Sequence, residues 1–264
     1  MQKRLSELLE SIRPIEVSGA RNLQIRGIAY DSRKVKQGDA FFAIDGLQAD
    51  GHEYVTDAIA NGSKVVFGEK PISEIDGSPG AYVRVENSRK TLAKLSHLFY
   101  DRPTEDLYVV GITGTNGKTT TTHLTGLILG EDTEIVSTLT NTERPGIEDP
   151  VTTPEAPEIQ NKARESIKNG KKYLVLEVSS HGISLNRVDS VDFNCAVFTN
   201  LTRDHLDFHE SMEVYASEKL KLFEALSVRD SAIVNSDDSY SDAIAQATEA
   251  AVITYGLKGS PDVL

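Results

Sequence analysis

The sequence predicts an α/β protein in two parts. A small N-terminal α/β domain spans residues 1–105, and a doubly wound α/β domain of the phosphate-loop type spans 106–264, incomplete at its C-terminus. Three observations carry this. Short strand and helix patterns alternate up to the break at Asp101-Arg102-Pro103-Thr104. An apolar run then leads into Gly111-Ile112-Thr113-Gly114-Thr115-Asn116-Gly117-Lys118-Thr119-Thr120 and a helical pattern. Finally, residues 173–178 form a nearly continuous apolar run, as parallel strands covered on both faces do.

In the first part, Leu5, Leu8, Leu9 and Ile12 recur among charges over residues 1–12, which reads as an amphipathic helix and not as a signal peptide. Residues 25–29 and 40–44 read as strands. Residues 54–60 read as a helix closed by Asn61-Gly62. Strands follow at 64–67 and 81–85, and Asn87-Ser88 can cap a helix over 89–99. Pro103 disfavours helix at the residue before it, which sets the domain boundary there.

In the second part, strand 107–112 runs into the glycine-rich loop and a helix over 121–129. A short strand at 134–137 precedes an irregular segment, 140–153, containing Pro145, Gly146 and Pro150. Pro154 opens a helix to about residue 168. Strands at 173–178, 191–199, 231–235 and 251–255 alternate with helices at 212–226 and 240–249. Ligands of such a sheet are expected at the carboxyl ends of its strands. The chain stops at Leu264 soon after a strand, which reads as a truncated domain.

The net charge is −12, from 28 basic and 40 acidic residues, which argues against a nucleic-acid or anionic-membrane partner. No apolar run approaches a membrane span. The single cysteine, Cys195, cannot form an internal disulfide; it reads as a core residue in a reducing, cytosolic setting.

The glycine-rich loop carries the chemistry. Strand, loop, Lys-Thr and helix is the arrangement that wraps backbone N–H groups around a nucleotide phosphate. Lys118 can reach the β/γ-phosphates and the Thr119 hydroxyl can ligate Mg²⁺. The strict GxxxxGK[ST] pattern is not met, because position 112 is Ile where it asks for Gly. A βα turn with a chance Lys-Thr is the structural alternative.

A second Mg²⁺ ligand is expected where a neighbouring hydrophobic strand ends, and Tyr173-Leu174-Val175-Leu176 closes on Glu177. The next strand ends in a segment holding Asp204, His205, Asp207 and His209. His205 and His209 are four apart, but the HExxH signature and a Cys/His cluster are lacking, so oxygen ligands beside a phosphate loop favour Mg²⁺ over zinc. By pattern alone Lys219 and Lys221 read as solvated charges. Tyr30-Asp31-Ser32-Arg33 and residues 46–52 read as polar loops at strand ends that could rim a ligand.

Together these stretches resemble the Mur ligases of peptidoglycan synthesis. The matching segments are 31–42, 111–120, Thr152-Thr153-Pro154-Glu155, Glu177-Val178-Ser179-Ser180-His181-Gly182, 200–209 and 215–223, in family order. The Gly-Thr-Asn-Gly-Lys-Thr loop is shared with folylpolyglutamate and cyanophycin synthetases. The Asp-Ser-Arg/Gly-Asp-Ala-Phe segment and Glu-Val-Ser-Ser-His point to the branch that adds the third residue of the stem peptide.

The resemblance implies an ATP-dependent, ADP-forming amide ligase. It would join a diamino acid, L-lysine or meso-diaminopimelate, to UDP-MurNAc-L-Ala-D-Glu through an acyl phosphate. It implies that Gly114, Thr115, Asn116, Gly117, Lys118, Thr119 and Thr120 hold the ATP phosphates, and that Thr119, Glu177 and His205 hold Mg²⁺. It implies a carbamylated lysine at Lys219, formed with CO₂. Ser32, Leu47, Gln48 and Ala49 would meet the uridine, Thr152, Thr153, Ser179 and Arg187 the UDP-sugar and its phosphates, and Tyr30 the same UDP-MurNAc-dipeptide substrate. Leu185 departs from the Gln of some members. A monomer in the cytoplasm is implied. The family's third domain, with the amino-acid site, would be missing, so the alternative is a non-catalytic UDP-sugar- or nucleotide-binding fragment. A folylpolyglutamate-type ligase is the other alternative.

Overall fold

The structure is a computed structural model that describes residues 1–46, 49–141, 152–204 and 211–264. It divides into two units, Met1–Arg102 and Pro103–Leu264. Among the described residues no helix is long and apolar enough to cross a membrane.

The first unit runs β1 (Lys3–Arg4), α1 (Leu5–Leu9), β2 (Glu16–Gly19), β3 (Gln24–Ile25), β4 (Ile28–Ala29), β5 (Ala40–Phe42), α2 (Val55–Ala60), β6 (Val65–Gly68), β7 (Ala81–Arg84) and α3 (Ser88–Phe99). Its five-stranded sheet has the order β2-β7-β6-β5-β4. Strands β4 to β7 pair in parallel and β2 joins β7 antiparallel. The Asn87 carboxamide accepts the Lys90 N–H at 2.8 Å and so caps α3, as the sequence suggests.

One face of this sheet holds Phe42 and Phe67, both fully buried, with stacked rings 4.5 Å apart. Phe42→Ala is expected to lower the unfolding free energy by about 3–5 kcal/mol, the usual cost of an unfilled aromatic cavity. Chemical denaturation of the variant measures it.

Three sequence expectations change here. The helix expected over 1–12 shrinks to Leu5–Leu9, because Lys3 and Arg4 pair antiparallel with Ile25 and Gln24. The strand expected over 25–29 splits at Arg26-Gly27. Its two halves serve different partners, β1 and β5, and a Cβ on Gly27 would sit 2.4 Å from the Asp39 carboxylate. Strand β2 was not expected, since Glu16-Val17-Ser18-Gly19 holds a single apolar residue.

The second unit opens with a 3₁₀ turn, Pro103–Asp106, then β8 (Tyr108–Thr113), α4 (Lys118–Leu129), β9 (Thr133–Val136), α5 (Ala156–Lys168), β10 (Tyr173–Glu177), α6 (Ser180–Ser184), β11 (Cys195–Phe198), α7 (Met212–Glu224), β12 (Ser231–Asn235), α8 (Ser241–Ala247) and β13 (Ala251–Tyr255). The six strands are ordered β13-β12-β11-β8-β10-β9 and pair in parallel throughout. After β8 the chain crosses to the outer strand β9 and returns to β10 beside β8, then builds outward on the other side through β11, β12 and β13. The order reverses beside β8, so the loop after β8 lies where doubly wound folds bind ligands.

The 3₁₀ turn packs against α5 and leads straight into β8, which moves the break from residue 105 to Arg102. Helix α5 starts at Ala156 instead of Pro154; the Glu155 N–H is held by the Glu158 carboxylate at 3.1 Å, a backbone cap that fixes the first turn. The strand expected over 191–199 is confined to Cys195–Phe198, and α6 was not expected. Residues 142–151 of the segment expected to be irregular lie outside the described residues. Cys195 is buried as expected, and desolvation pushes its thiol up to about 11.

Candidate active site

Strand β8 ends at Thr113 and the chain turns through Gly114 (φ +150°) and Gly117 (φ +83°) into α4. A Cβ on Gly114 would lie 1.9 Å from the Thr199 hydroxyl, so close approach requires glycine there. At Gly117 nothing lies within 4 Å, and the left-handed φ alone favours glycine. The first N–H groups of α4 lack intrahelical acceptors and make an anion-seeking rim. The Lys118 ammonium folds back over the loop and donates to the carbonyls of Gly114 (3.1 Å) and Thr115 (2.9 Å). Thr115 is buried, whereas Asn116 and Thr120 are exposed.

Glu177, at the carboxyl end of β10, is 2% exposed. One carboxylate oxygen accepts the Thr119 hydroxyl at 2.8 Å; the other accepts the Thr138 N–H at 3.0 Å and hydroxyl at 3.2 Å. Hydroxyl and amide donors thus surround a buried anion that takes part in no ion pair recorded among the described residues. Oxygen donors around such an anion fit Mg²⁺. No group of three or more His, Cys, Asp or Glu among the described residues could hold a metal ion.

Lys219 corrects the reading of a solvated charge: it is 2% exposed. Helix α7 turns Tyr215, Ala216, Leu222 and Phe223 inward, and Lys219 falls on that same face. Its Nζ donates to the Gly114 carbonyl at 3.1 Å and sits 4.5 Å from the centre of the Tyr215 ring. The Tyr215 hydroxyl is 3.2 Å from that of Thr115. Desolvation, with the Lys118 charge acting in the same sense, brings the Lys219 ammonium down to about 7 against the opposing pull of Asp204. Burial also lowers Lys118.

Thr152, Thr153, Ser179 and Arg187 gather beside Glu177. The Thr153 hydroxyl donates to the Glu177 carbonyl (3.0 Å) and accepts the Ser179 N–H (2.9 Å). The Ser179 side chain caps α6 by accepting the Gly182 N–H at 3.0 Å. Arg187 donates to the Thr153 carbonyl at 2.9 Å and pairs with Glu155 at 2.9 Å. The Thr152 hydroxyl lies 3.2 Å from that of Thr138.

In the first unit, Ser32 is buried just beyond β4, and its carbonyl accepts the Asn61 amide at 3.0 Å. Tyr30 lies two residues earlier, on the same strand-to-turn connection. The Ala49 carbonyl accepts the Gly46 N–H at 3.0 Å. Leu47, Gln48 and His205 lie outside the described residues.

Residues 112–263 match the Mur ligase middle domain, and residues 24–100 match the Mur ligase family catalytic domain. The chain belongs to the Mur ligase family. A relative from Caldanaerobacter subterraneus, named UDP-N-acetylmuramoyl-L-alanyl-D-glutamate--2,6-diaminopimelate ligase, is 44% identical over 97% of this chain and 53% of its own length. One of the same name from Syntrophomonas wolfei is 41% identical over 98% of this chain and 54% of its own. A solved structure of a ligase of that name superposes with a TM-score of 0.79 at 27% identity, covering 98% of this chain and 53% of that one. The fold is also that of MurF from Acinetobacter baumannii (TM-score 0.70, 23% identity, 98% of this chain and 54% of that one). The chain spans about half the length of the curated relatives it matches.

Within this Mur ligase chain, three residues join the site that sequence reasoning left out: Thr138 against Glu177, Tyr215 beneath Lys219, and Asn200 against the phosphate loop. For Tyr215 a signal existed, the inward helical spacing of α7. Thr138 lies in a segment with no motif.

Proposed function

We propose that the chain carries the UDP-sugar and nucleotide sites of an ATP-dependent ligase. That ligase adds a diamino acid, meso-diaminopimelate or L-lysine, to UDP-MurNAc-L-Ala-D-Glu in peptidoglycan synthesis. The observation that carries this reading is the juxtaposition of Lys118, Thr119 and the buried Glu177 carboxylate around one glycine-rich loop. The names of the relatives favour diaminopimelate over lysine.

A carboxylate is a poor electrophile. Transfer of the terminal phosphoryl of ATP to it yields ADP and an acyl phosphate, whose phosphate is a good leaving group. The amine of the diamino acid then attacks the acyl carbon, phosphate departs, and the amine loses its proton to leave the amide. Lys118 and the N–H groups of residues 114–120 neutralise charge on the transferred group. Thr119, Glu177 and His205 would hold Mg²⁺, which when bound supplies positive charge against phosphate oxygens. Thr152, Thr153, Ser179 and Arg187 would hold the sugar and its phosphates, Ser32, Leu47, Gln48 and Ala49 the uridine, and Tyr30 would contact the same substrate. The neutral amine of Lys219 would add to CO₂, releasing a proton and leaving an anionic carbamate. We assign the ligase to the cytosol as a monomer.

Hydroxylamine tests the activation step, since it traps an acyl phosphate as a hydroxamate. Hydroxamate that requires both UDP-MurNAc-L-Ala-D-Glu and ATP is the expected result. Binding of both ligands with no hydroxamate would instead favour a non-catalytic binding unit.

A further inference from the structure

The parallel ladder between β11 and β8 does not stop where the strands do. It pairs Phe198 with Thr113 and continues as Thr199 N–H to Thr113 O (3.0 Å) and Thr115 N–H to Asn200 O (2.8 Å). At the next rung a side chain replaces the backbone. The Asn200 carboxamide oxygen accepts the Asn116 N–H at 3.0 Å, and its NH₂ donates to the Asn116 C=O at 3.1 Å. A carboxamide carries the same donor and acceptor as a peptide unit, so it can complete such a pair from both sides. The Thr199 hydroxyl adds a bond to the same Asn116 carbonyl at 2.7 Å. Asn116 is itself exposed and immediately precedes Gly117, where the left-handed turn aims the chain into α4.

We infer that Asn200 is a positioning residue that presets the phosphate loop by pairing, strand-fashion, with the peptide groups of Asn116. The inference rests on the nucleotide reading given above. Fixing Asn116 at both its N–H and C=O fixes the path into Gly117 and hence where the first N–H groups of α4 point. The ordering cost of the loop is then met on folding and not on binding, which raises affinity for the phosphates.

The test is titration of the full chain with ADP in the presence of Mg²⁺, comparing wild type with Asn200→Ala and Asn200→Asp. Asn200→Ala removes both bonds; Asn200→Asp keeps the shape but sets a carboxylate against the Asn116 carbonyl. Loss of two hydrogen bonds should raise the Kd for ADP about tenfold or more. The ligand-free melting temperature should move by only a few degrees, a split that a merely structural role would not give. Wild type that binds ADP while Asn200→Ala binds equally well overturns the clamp alone. Wild type that does not bind ADP overturns the phosphate-loop reading and the clamp with it. Should the variants not fold, amide hydrogen exchange in wild type decides: the exposed Asn116 N–H should exchange slowly, and exchange at the free-peptide rate overturns the clamp.

Discussion

In a full-length form of the ligase, Lys118→Ala is expected to lower ATP-dependent ligation by roughly 100–1,000-fold or more, the loss typical when a preorganised charge stabiliser is removed. In the ligand-free protein its ammonium is held by the carbonyls of Gly114 and Thr115, two weak neutral acceptors. A phosphate oxygen is a stronger acceptor, so the side chain can turn from loop to nucleotide with little loss. Burial already lowers its ammonium, which shows that the charge sits in a poorly hydrated place where an incoming anion interacts strongly. Lys219, which also reaches the loop, has its ammonium brought down by burial and by the Lys118 charge, so it is a poor substitute for that cation. Steady-state kinetics with ATP as the varied substrate checks the loss. Turnover within a few-fold of wild type would remove Lys118 from the phosphate role.

Lys219→Ala should be nearly as damaging, and its loss should be partly restored by short carboxylates such as formate or acetate. Carbamate formation needs a neutral amine. With its ammonium brought down to about 7, Lys219 gains that form as pH rises through 7, so uptake of ¹³C-labelled CO₂, read by NMR, should increase between about pH 6 and 8. Full activity of the variant without added carboxylate would sink the carbamate assignment.

The same residue leaves a mark on stability. Its folded pKa is about 7, whereas in the unfolded chain it takes the ordinary value of 10.5. Between these values the unfolded state binds more protons, so stability rises with pH across that window. The penalty for burying the ammonium is fully present below pH 7 and disappears above 10.5. Lys219→Met should therefore stabilise the fold, most of all at pH 6, which melting curves at several pH values would show.

Much of the second unit was legible because its physics is local. A continuous apolar strand, a glycine-rich turn and a helix start follow one another in the sequence, and Glu177 closes the next apolar strand. The first unit was less legible because its short strands serve several partners. Residues 25–29 look like one strand but split between two sheets at Gly27, where a Cβ would meet the Asp39 carboxylate arriving from elsewhere in the chain. Lys219 was misread for a different reason. Its charge outweighed its position, although Tyr215, Ala216, Leu222 and Phe223 recur around it at helical spacing. Burying a lysine is costly enough that spacing alone rarely argues for it. Asn200 lay inside a recognised stretch, yet its pairing with Asn116 joins residues 84 positions apart and has no local signature.

The most direct measurement is isothermal titration of the chain with UDP-MurNAc-L-Ala-D-Glu and, separately, with ADP and Mg²⁺, for wild type and Lys118→Ala. Wild type is expected to bind one equivalent of each, and Lys118→Ala to lose the nucleotide while keeping the UDP-sugar. A folded wild-type chain that ignores the UDP-sugar, or nucleotide binding that survives Lys118→Ala, would contradict the two-site reading.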